Sequence, residues 1–275
     1  YAWALFVPEI QHAYGWSRAR IQLAFTIFVV VQTWLAPLEG YFIDKYGPRP
    51  IVALGALFVG AAWIVDARAT TLAGFYIGAA IGGIGVGAIY ATCINNALRW
   101  FPDRRGLAVG LTAGGYGAGS ALTILPIAAM IASHGYKHTF LVFGILQGLA
   151  AFVAAWFLRA PRAGEVNASV RLAQATRDYT LGEAMRTRLF WLMFVMFILV
   201  VTGGMMAVAQ LGVIATDMGV KEFKIDLHFA VIASLPLALM MDRIMNGVSR
   251  PLFGWISDHI GREATMVIAF TLEGC

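Results

Sequence analysis

Long apolar runs separated by short polar turns fill most of this chain. Complete runs occupy residues 21–43, 48–65, 72–98, 106–131, 140–158, 190–214 and 229–254, with a partial run at 1–12 and a ninth that has barely begun by residue 275. A helix that crosses a bilayer needs roughly 20 apolar residues. The pattern therefore predicts an all-α membrane protein with about eight spans, surrounded by a lipid bilayer.

One polar stretch interrupts this pattern. Residues 159–188 are rich in arginine and alanine and lack a long apolar run, so we predict a linker there. It divides the chain into an N-terminal helix bundle at 1–158, with spans one to six, and part of a C-terminal bundle at 189–275, with spans seven and eight and the start of nine. The expected architecture is two six-helix bundles, here truncated.

Composition supports the membrane assignment, and the charges set the orientation. The chain is 60% hydrophobic and 13% charged, whereas about a quarter of the residues in an average soluble domain are charged. Lysine and arginine are concentrated on the side that holds Asp44 and the linker, which is the positive-inside bias. We expect a multi-pass protein of the cell (inner) membrane with a cytoplasmic linker. The same bias explains the net charge of +5 without nucleic acid.

The end of the chain repeats a pattern found near its beginning. Each copy ends one apolar run and starts the next, and the two copies are Gly40, Asp44 and Gly47, followed by Arg49, and Gly254, Asp258 and Gly261, followed by Arg262. A short cytoplasmic link between two spans fits this arrangement. The repetition predicts two related halves.

The remaining motifs argue against several kinds of site. The glycines at 82–87 lie inside one apolar run, whereas a dinucleotide loop joins a strand to a helix. Glycines spaced by four, such as Gly110 with Gly114 and Gly115 with Gly119, instead place small residues on one helix face for close packing. The sequence shows no clustered histidines, cysteines or carboxylates, so we expect no metal, no cofactor and no enzymatic activity.

Arg250 is the main candidate for a binding residue. It lies eight residues before Asp258, which places it roughly 12 Å inside the cytoplasmic end of its helix at 1.5 Å per residue. An arginine at membrane depth costs about 2.5–3.5 kcal/mol and is expected to face a cavity with an anionic partner. That partner is either Asp242, two turns away, or an organic anion. Alternatively, Arg250 is structural and extends to the cytoplasmic surface.

Asp242 and Arg243 form a possible proton or ion-pair site. Arg243 shares a helix face with Arg250, which suits an anion pathway, while a structural arginine with partners on other helices fits as well. Adjacent helix residues point about 100° apart, so we expect Asp242 and Arg243 to neutralise each other poorly. Three tyrosines in or near the spans have hydroxyls that donate to a carboxylate and rings that wall a cavity, namely Tyr1, Tyr90 and Tyr116.

The segments GYFIDKYGPRP and NGVSRPLFGWISDHIGR resemble two loops of the major facilitator superfamily, between helices two and three and between helices eight and nine. The second segment and NALRWFPDRRGLAVGLTAGGYGAG are more specifically similar to the oxalate:formate antiporter family. The resemblance covers essentially the whole chain. It implies a secondary transporter that works by alternating access, and we expect it to function as a monomer.

The resemblance also implies a substrate and its site. In that family an arginine of helix eight and a lysine of helix eleven bind a dicarboxylate within a box of aromatic side chains. Arg250 stands at the arginine position, and Tyr90, Tyr116 and Tyr1 stand at aromatic positions. The implied activity is antiport of small organic anions of the oxalate and formate type. The alternative is a proton-coupled monocarboxylate symporter with Asp242 as the proton carrier.

The resemblance further implies a conformational latch on the cytoplasmic face, which holds the two halves together in the outward-open state. Its residues are Gly40, Asp44, Gly47 and Arg49, with a second copy at Gly254, Asp258, Gly261 and Arg262. Arg104 and Arg105 are the nearest basic candidates to pair with Asp44. Repeated halves with latch loops fit a two-state carrier better than a channel or a receptor.

Overall fold

The all-α prediction is confirmed by a computed structural model, which describes residues 2–162, 164–166, 179, 181–219, 224–226 and 231–274. Tyr1 and much of the predicted linker lie outside this part. The helices are α1 (Trp3–Tyr14), α2 (Arg18–Trp34), α3 (Ala36–Tyr46), α4 (Pro48–Arg68), α5 (Leu72–Trp100), α6 (Arg105–Ala155), α7 (Leu181–Met185), α8 (Arg188–Asp217), α9 (Ser234–Ile260) and α10 (Arg262–Gly274).

The predicted spans differ from the helices of the structure in two places. The second span bends by 48° between α2 and α3, where Pro37 cannot donate the backbone hydrogen bond that a continuous helix needs. The fifth and sixth spans are the two arms of α6, which changes direction at Gly135 with φ 79° and ψ 164°. Among the described helices, α4, α5 and α6 are long and apolar enough to cross a membrane, and α2 with α3 makes a fourth.

The predicted eighth span begins later than expected. Residues Val231–Ala233 form a short strand, β2, which pairs antiparallel with β1 at Lys224–Asp226. The β-branched Val231 and Ile232 suit this extended pairing. Helix α9 therefore starts at Ser234, later than the predicted start of the span at 229–254, and it includes Gly254 and Asp258 before it ends at Ile260.

The two repeated turns end their helices in the same way. Gly47 follows α3 with φ 81°, and Gly261 follows α9 with φ 90°. A side chain with a Cβ adopts such positive φ values only at a cost, so glycine is required at both positions. The next helix then starts at once, with Pro48 as the first residue of α4, where a missing backbone N–H costs nothing.

Aromatic side chains fill the core of the first bundle. Phe6 of α1 stacks on Phe140 of α6 with ring centroids 3.9 Å apart, and the edge of Trp63 of α4 meets both rings. Phe6 and Ile10 are almost completely buried. Elsewhere the helices approach so closely that a Cβ on Gly85 of α5 would lie 2.9 Å from the Val59 nitrogen of α4.

The start of the predicted linker contacts the end of α5 through a hydrogen bond and a cation–π interaction. The indole Nε1 of Trp100 donates to the Arg159 carbonyl, and the Arg159 guanidinium lies 4.5 Å from the Trp100 ring centroid. Arg159 also forms two hydrogen bonds of 2.7 Å with Glu165. These bonds, together with the backbone N–H of Arg162, lower the pKa of Glu165 to about 2.

The arm of α6 that precedes Gly135 packs against α9, and the contact joins the two predicted bundles. Glycines make the closest approaches: a Cβ on Gly110 would lie 2.5 Å from the Arg250 carbonyl oxygen, and one on Gly114 would lie 2.6 Å from the Gly247 carbonyl oxygen. Gly106 and Gly254 touch each other in the same way. Gly115 faces open space, so only one of the two predicted glycine faces makes this contact.

We predict that Gly114→Ala separates α6 from α9, because the added methyl group would overlap a backbone atom. Overpacking of this kind costs about 1–3 kcal/mol. The measurement is the distance between spin labels at positions 101 and 260 in the full-length protein, which should become longer and broader. Gly115→Ala is the matched control, since it has the same gain in helix propensity and no neighbour. An unchanged distance in Gly114→Ala would contradict the packing.

Candidate functional site

Arg250 lies at the contact between the two predicted bundles. It is half-buried, and its Nε donates to the Asn246 Oδ1 over 3.0 Å, one turn earlier on α9. Gly117 of α6 lies opposite, because a Cβ there would be 2.7 Å from Asn246 Oδ1 and 3.5 Å from Arg250 Nε. The partner of the arginine is therefore a neutral amide. Among the ion pairs of the described residues, none includes Arg250.

Two of the predicted aromatic residues are in contact. The rings of Tyr90 on α5 and Tyr116 on α6 have centroids 4.8 Å apart and are tilted by 50°. Tyr116 directly precedes Gly117, so the same turn of α6 carries the aromatic pair and the contact to Arg250. Tyr1, the third predicted aromatic residue, lies outside the described part of the chain.

Asp242 and Arg243 form an ion pair, and the prediction that they neutralise each other poorly is wrong. Arg243 Nη2 lies 2.6 Å from Asp242 Oδ2, and the Arg243 residue is only 3% exposed. The arginine side chain is long and flexible, so its guanidinium reaches the short aspartate side chain across the angle between adjacent helix positions. Asp242 and Arg243 therefore bring little net charge to the interior, whereas Arg250 brings a full positive charge.

Asp258 connects the C-terminal end of α9 to the beginning of α6. Its Oδ1 accepts a hydrogen bond from the Gly106 N–H and its Oδ2 accepts one from the Leu107 N–H, both at 2.8 Å. The first amides of a helix have no partner inside the helix, and a carboxylate there also interacts favourably with the helix dipole. The bond thus links residues of the two predicted bundles.

The first copy of the repeat makes a different contact. Asp44 Oδ1 accepts from Arg99 Nη2 at 2.5 Å, and Arg99 also donates to Asn95 Oδ1. The prediction of Arg104 or Arg105 as the basic partner is therefore wrong, since α3 and α5 lie side by side and the last turn of α5 is nearer. Arg104 instead lies 3.7 Å from Asp103.

The other residues of the two copies have local roles. Arg49 Nε donates to the Leu158 carbonyl at the end of α6, which ties the α3–α4 turn to the start of the linker. Arg262 is exposed and begins α10. Gly40 has no neighbour within 4 Å of a Cβ position. Its glycine is therefore not required by packing among the described residues.

A small cavity adjoins the Asp258 contact. Its volume is about 280 Å³, and it lies between the start of α6 and the end of α9, where it is lined by Asp103, Arg104, Leu107, Trp255, Asp258 and His259. The Trp255 and His259 rings lie 4.5 Å apart. The part of the chain that the structure describes contains no group of three or more histidines, cysteines or carboxylates placed to hold a metal ion.

Comparison with known proteins supplies the family. The model of the Major Facilitator Superfamily matches residues 1–272. The oxalate:formate antiporter of Oxalobacter formigenes is 33% identical over 274 residues, which are 99% of this chain and 62% of that protein.

More distant relatives carry other transporter names. Human monocarboxylate transporter 11 is 24% identical over 93% of this chain and 52% of its own length. A probable sulfoacetate transporter of Cupriavidus necator is 26% identical over 56% of this chain and 36% of its own length. This chain thus spans less than two thirds of each of these relatives.

We predict that Asp258→Asn weakens the contact between α6 and α9. The amide keeps one acceptor oxygen but loses the negative charge and the second bond, and loss of a helix cap costs about 0.5–2 kcal/mol. The fraction of molecules with separated ends should rise about twofold to thirtyfold, measured with the spin labels at positions 101 and 260. Asp103→Asn is the matched control, because Asp103 borders the same cavity. Equal distances in both variants would contradict the role of Asp258.

Proposed function

The chain belongs to the Major Facilitator Superfamily, and from that premise we propose that the full-length protein is a secondary transporter of small organic carboxylates. Membership of this superfamily indicates a transporter rather than an enzyme. The proposed activity is oxalate- and formate-type antiport by alternating access. The name of the Oxalobacter formigenes relative, oxalate:formate antiporter, supports this choice.

The observation that carries the proposal is the charge of Arg250. The guanidinium lies roughly 12 Å inside the end of its helix and its hydrogen-bond partner is the uncharged Asn246. An arginine at this depth is stabilised by an anion. A substrate carboxylate is that anion, because guanidinium and carboxylate form paired, charge-assisted hydrogen bonds.

Aromatic residues complete the proposed substrate site. Tyr90 and Tyr116 are in contact with each other on the α5 and α6 side of the site, and we assign them to the wall around the carboxylate. We place Tyr1 in the same wall on the resemblance alone. Each tyrosine offers a hydroxyl donor and an apolar ring, which suits a small carboxylate with little apolar surface.

The two repeated turns serve as the latch in this proposal. Asp258 crosses between the predicted bundles, with Gly254 allowing the close approach and Gly261 and Arg262 completing the turn. In the first copy, Asp44 holds α3 to α5, and Gly40, Gly47 and Arg49 belong to the same unit. The Asp258 contact closes the cytoplasmic end, so the conformation described here corresponds to the outward-open state.

Antiport fits the charges better than proton symport does. A symporter needs a titratable group coupled to the substrate site, and the neighbour of Arg250 is an amide that holds no exchangeable charge. Asp242, the candidate proton carrier, is already paired with Arg243. The monocarboxylate transporter among the relatives keeps proton-coupled monocarboxylate symport as the second candidate.

We predict that Arg250→Gln abolishes exchange. Hydrogen bonds to charged groups contribute about 1.5–3 kcal/mol each, so the rate at low substrate should fall at least roughly tenfold to a hundredfold. The measurement is counterflow of labelled oxalate, formate and lactate by the full-length protein in proteoliposomes. Arg250→Lys should recover only part of the rate, because an ammonium cannot form the paired bonds.

The matched control for this experiment is Arg186→Gln, which removes an exposed arginine within the proposed linker. Exchange that is independent of a pH gradient and lost only in the Arg250 variants supports antiport. Uptake that follows the proton gradient supports the symporter instead. Full activity of Arg250→Gln would show that the arginine is structural.

A further inference from the structure

Glu39 is a buried carboxylate with no partner in the described part of the chain. It lies in α3, its residue is 7% exposed, and neither Oε1 nor Oε2 has a hydrogen-bond partner among the described residues. It stands five residues before Asp44, whose carboxylate is exposed and paired with Arg99. The same helix therefore presents one carboxylate to a cation and another to the interior of the bundle.

The niche around Glu39 is made by a glycine and a bend. A Cβ on Gly87 of α5 would lie 2.7 Å from Glu39 Oε1, 2.9 Å from Oε2 and 3.1 Å from the Gln32 carbonyl oxygen. The missing side chain at Gly87 is what lets the carboxyl group reach α5. The Gln32 backbone carbonyl, which borders the same point, belongs to α2 just before its bend into α3. Three acceptor oxygens thus converge, and no donor among the described residues serves the carboxyl group.

The basic groups on the helices packed against α3 are held elsewhere. Arg99, the cation of α5, is bonded to Asp44, and Arg49 of α4 donates to the Leu158 carbonyl. Lys45 of α3 itself lies 5.3 Å from the ring centroid of Tyr46. The other cation of α4 is Arg68, at the opposite end of that helix, and those of α2 are Arg18 and Arg20, at its first turn.

The remaining titratable groups nearby also have other positions or contacts. On α5, Tyr76 donates to the Arg20 carbonyl and Tyr90 packs on Tyr116, and the third titratable group is Cys93. On α3 the other titratable groups are Tyr41 and Tyr46. Asp66 lies near the end of α4 that is distant from α3 in sequence. No cation among these groups is placed to neutralise Glu39. An ionised carboxylate in such surroundings is strongly disfavoured unless it is paired.

We propose that Glu39 is a proton-binding site, and that its neutral carboxyl group keeps α3 packed on α5. The bound proton makes the carboxyl group a donor, and the Gln32 carbonyl oxygen is the acceptor that shares its niche. Release of the proton to water leaves a carboxylate that α3 cannot keep buried, so the packing of α3 on α5 weakens as the pH rises. This site is separate from Arg250 and does not depend on the substrate.

The sign of the pH dependence follows from linkage. The folded protein binds this proton at neutral pH, whereas an unfolded chain exposes an ordinary ionised glutamate. Folding then takes up a proton, so stability declines as the pH increases. Glu39→Gln has the shape of the protonated form and no proton to lose, so it should remain folded without the alkaline decline.

The test is infrared difference spectroscopy on the full-length protein in nanodiscs, without substrate. The wild type minus Glu39→Gln spectrum should show the carbonyl stretch of a protonated carboxyl group at pH 7, and alkaline titration should remove it. Asp44→Asn is the control and should leave this band in place, because Asp44 is exposed and bonded to Arg99. A wild-type spectrum without the band would overturn the proposal.

Thermal unfolding provides the second measurement. The midpoint should fall as the pH rises from about 5 to about 8 in the wild type and stay level in Glu39→Gln. An equal decline in both would overturn the proposal. So would a midpoint that rises with sodium in the wild type alone, since that result assigns the niche to a metal cation.

A second variant keeps the proposal testable where Glu39→Gln does not fold. In Gly87→Ala the added methyl group occupies the position of the carboxyl group, so the carboxylate should move into water and the band should be lost at pH 7. Gly119→Ala, whose new Cβ has no neighbour within 4 Å among the described residues, should keep the band. Retention of the band in Gly87→Ala would contradict the niche.

Discussion

Asp258 of α9 accepts hydrogen bonds from the second and third amides of α6, those of Gly106 and Leu107, and this contact holds the two helices together at that end. Amides in the first turn of a helix have no partner within the helix, and at a closed interface water does not reach them freely. The one carboxylate satisfies both amides at once. When the helices separate, both amides and the carboxylate must be hydrated, so separation is coupled to the entry of water at this end of α6 and α9.

The glycines of α6 make that bond possible. A carboxylate on a short side chain reaches two backbone amides only if the helix axes come very close, and Gly106 and Gly254 touch at this point. Farther into the membrane, Gly110 and Gly114 continue the same backbone contact. Because these helices meet through backbone atoms, few side-chain rotamers change when they move. Such a contact favours two discrete arrangements of the helices over gradual deformation.

Much of the fold follows from the apolar pattern, because each run must hydrogen-bond its own backbone in lipid and so forms a helix. The bend at Pro37 and the late start of α9 do not follow from the apolar pattern. Both depend on local backbone conformations that compete with the helix, a bend in one case and a strand in the other. The partners in the ion pairs are even harder to predict from the sequence. Asp44 meets Arg99 and not Arg104 because of which helices are neighbours, and Asp242 meets Arg243 because flexible side chains bend towards each other.

The candidate site shows the same division. A cation at membrane depth is visible in the sequence, so Arg250 could be identified before its surroundings were known. Its partner could not, because Asn246 is one of several polar residues within reach along α9. The burial of Glu39 cannot be read from the sequence, because Glu39 stands close to the charged turn at Asp44 and resembles part of it. Only its contact with Gly87 shows that it faces the interior.

The unbalanced charge of Arg250 gives a physical reason for exchange in the proposed mechanism. A carrier that changes sides must pass through a state in which its site is closed to both solutions, and there an unpaired guanidinium loses its hydration. A bound carboxylate neutralises the charge, so the loaded carrier crosses more easily than the empty one. The empty carrier therefore changes sides only after it binds a second anion, so one anion is exchanged for another. The ion pair of Arg243 with Asp242 also helps the loaded carrier to cross. Without Asp242, the charge of Arg243 would remain after a substrate carboxylate had neutralised Arg250.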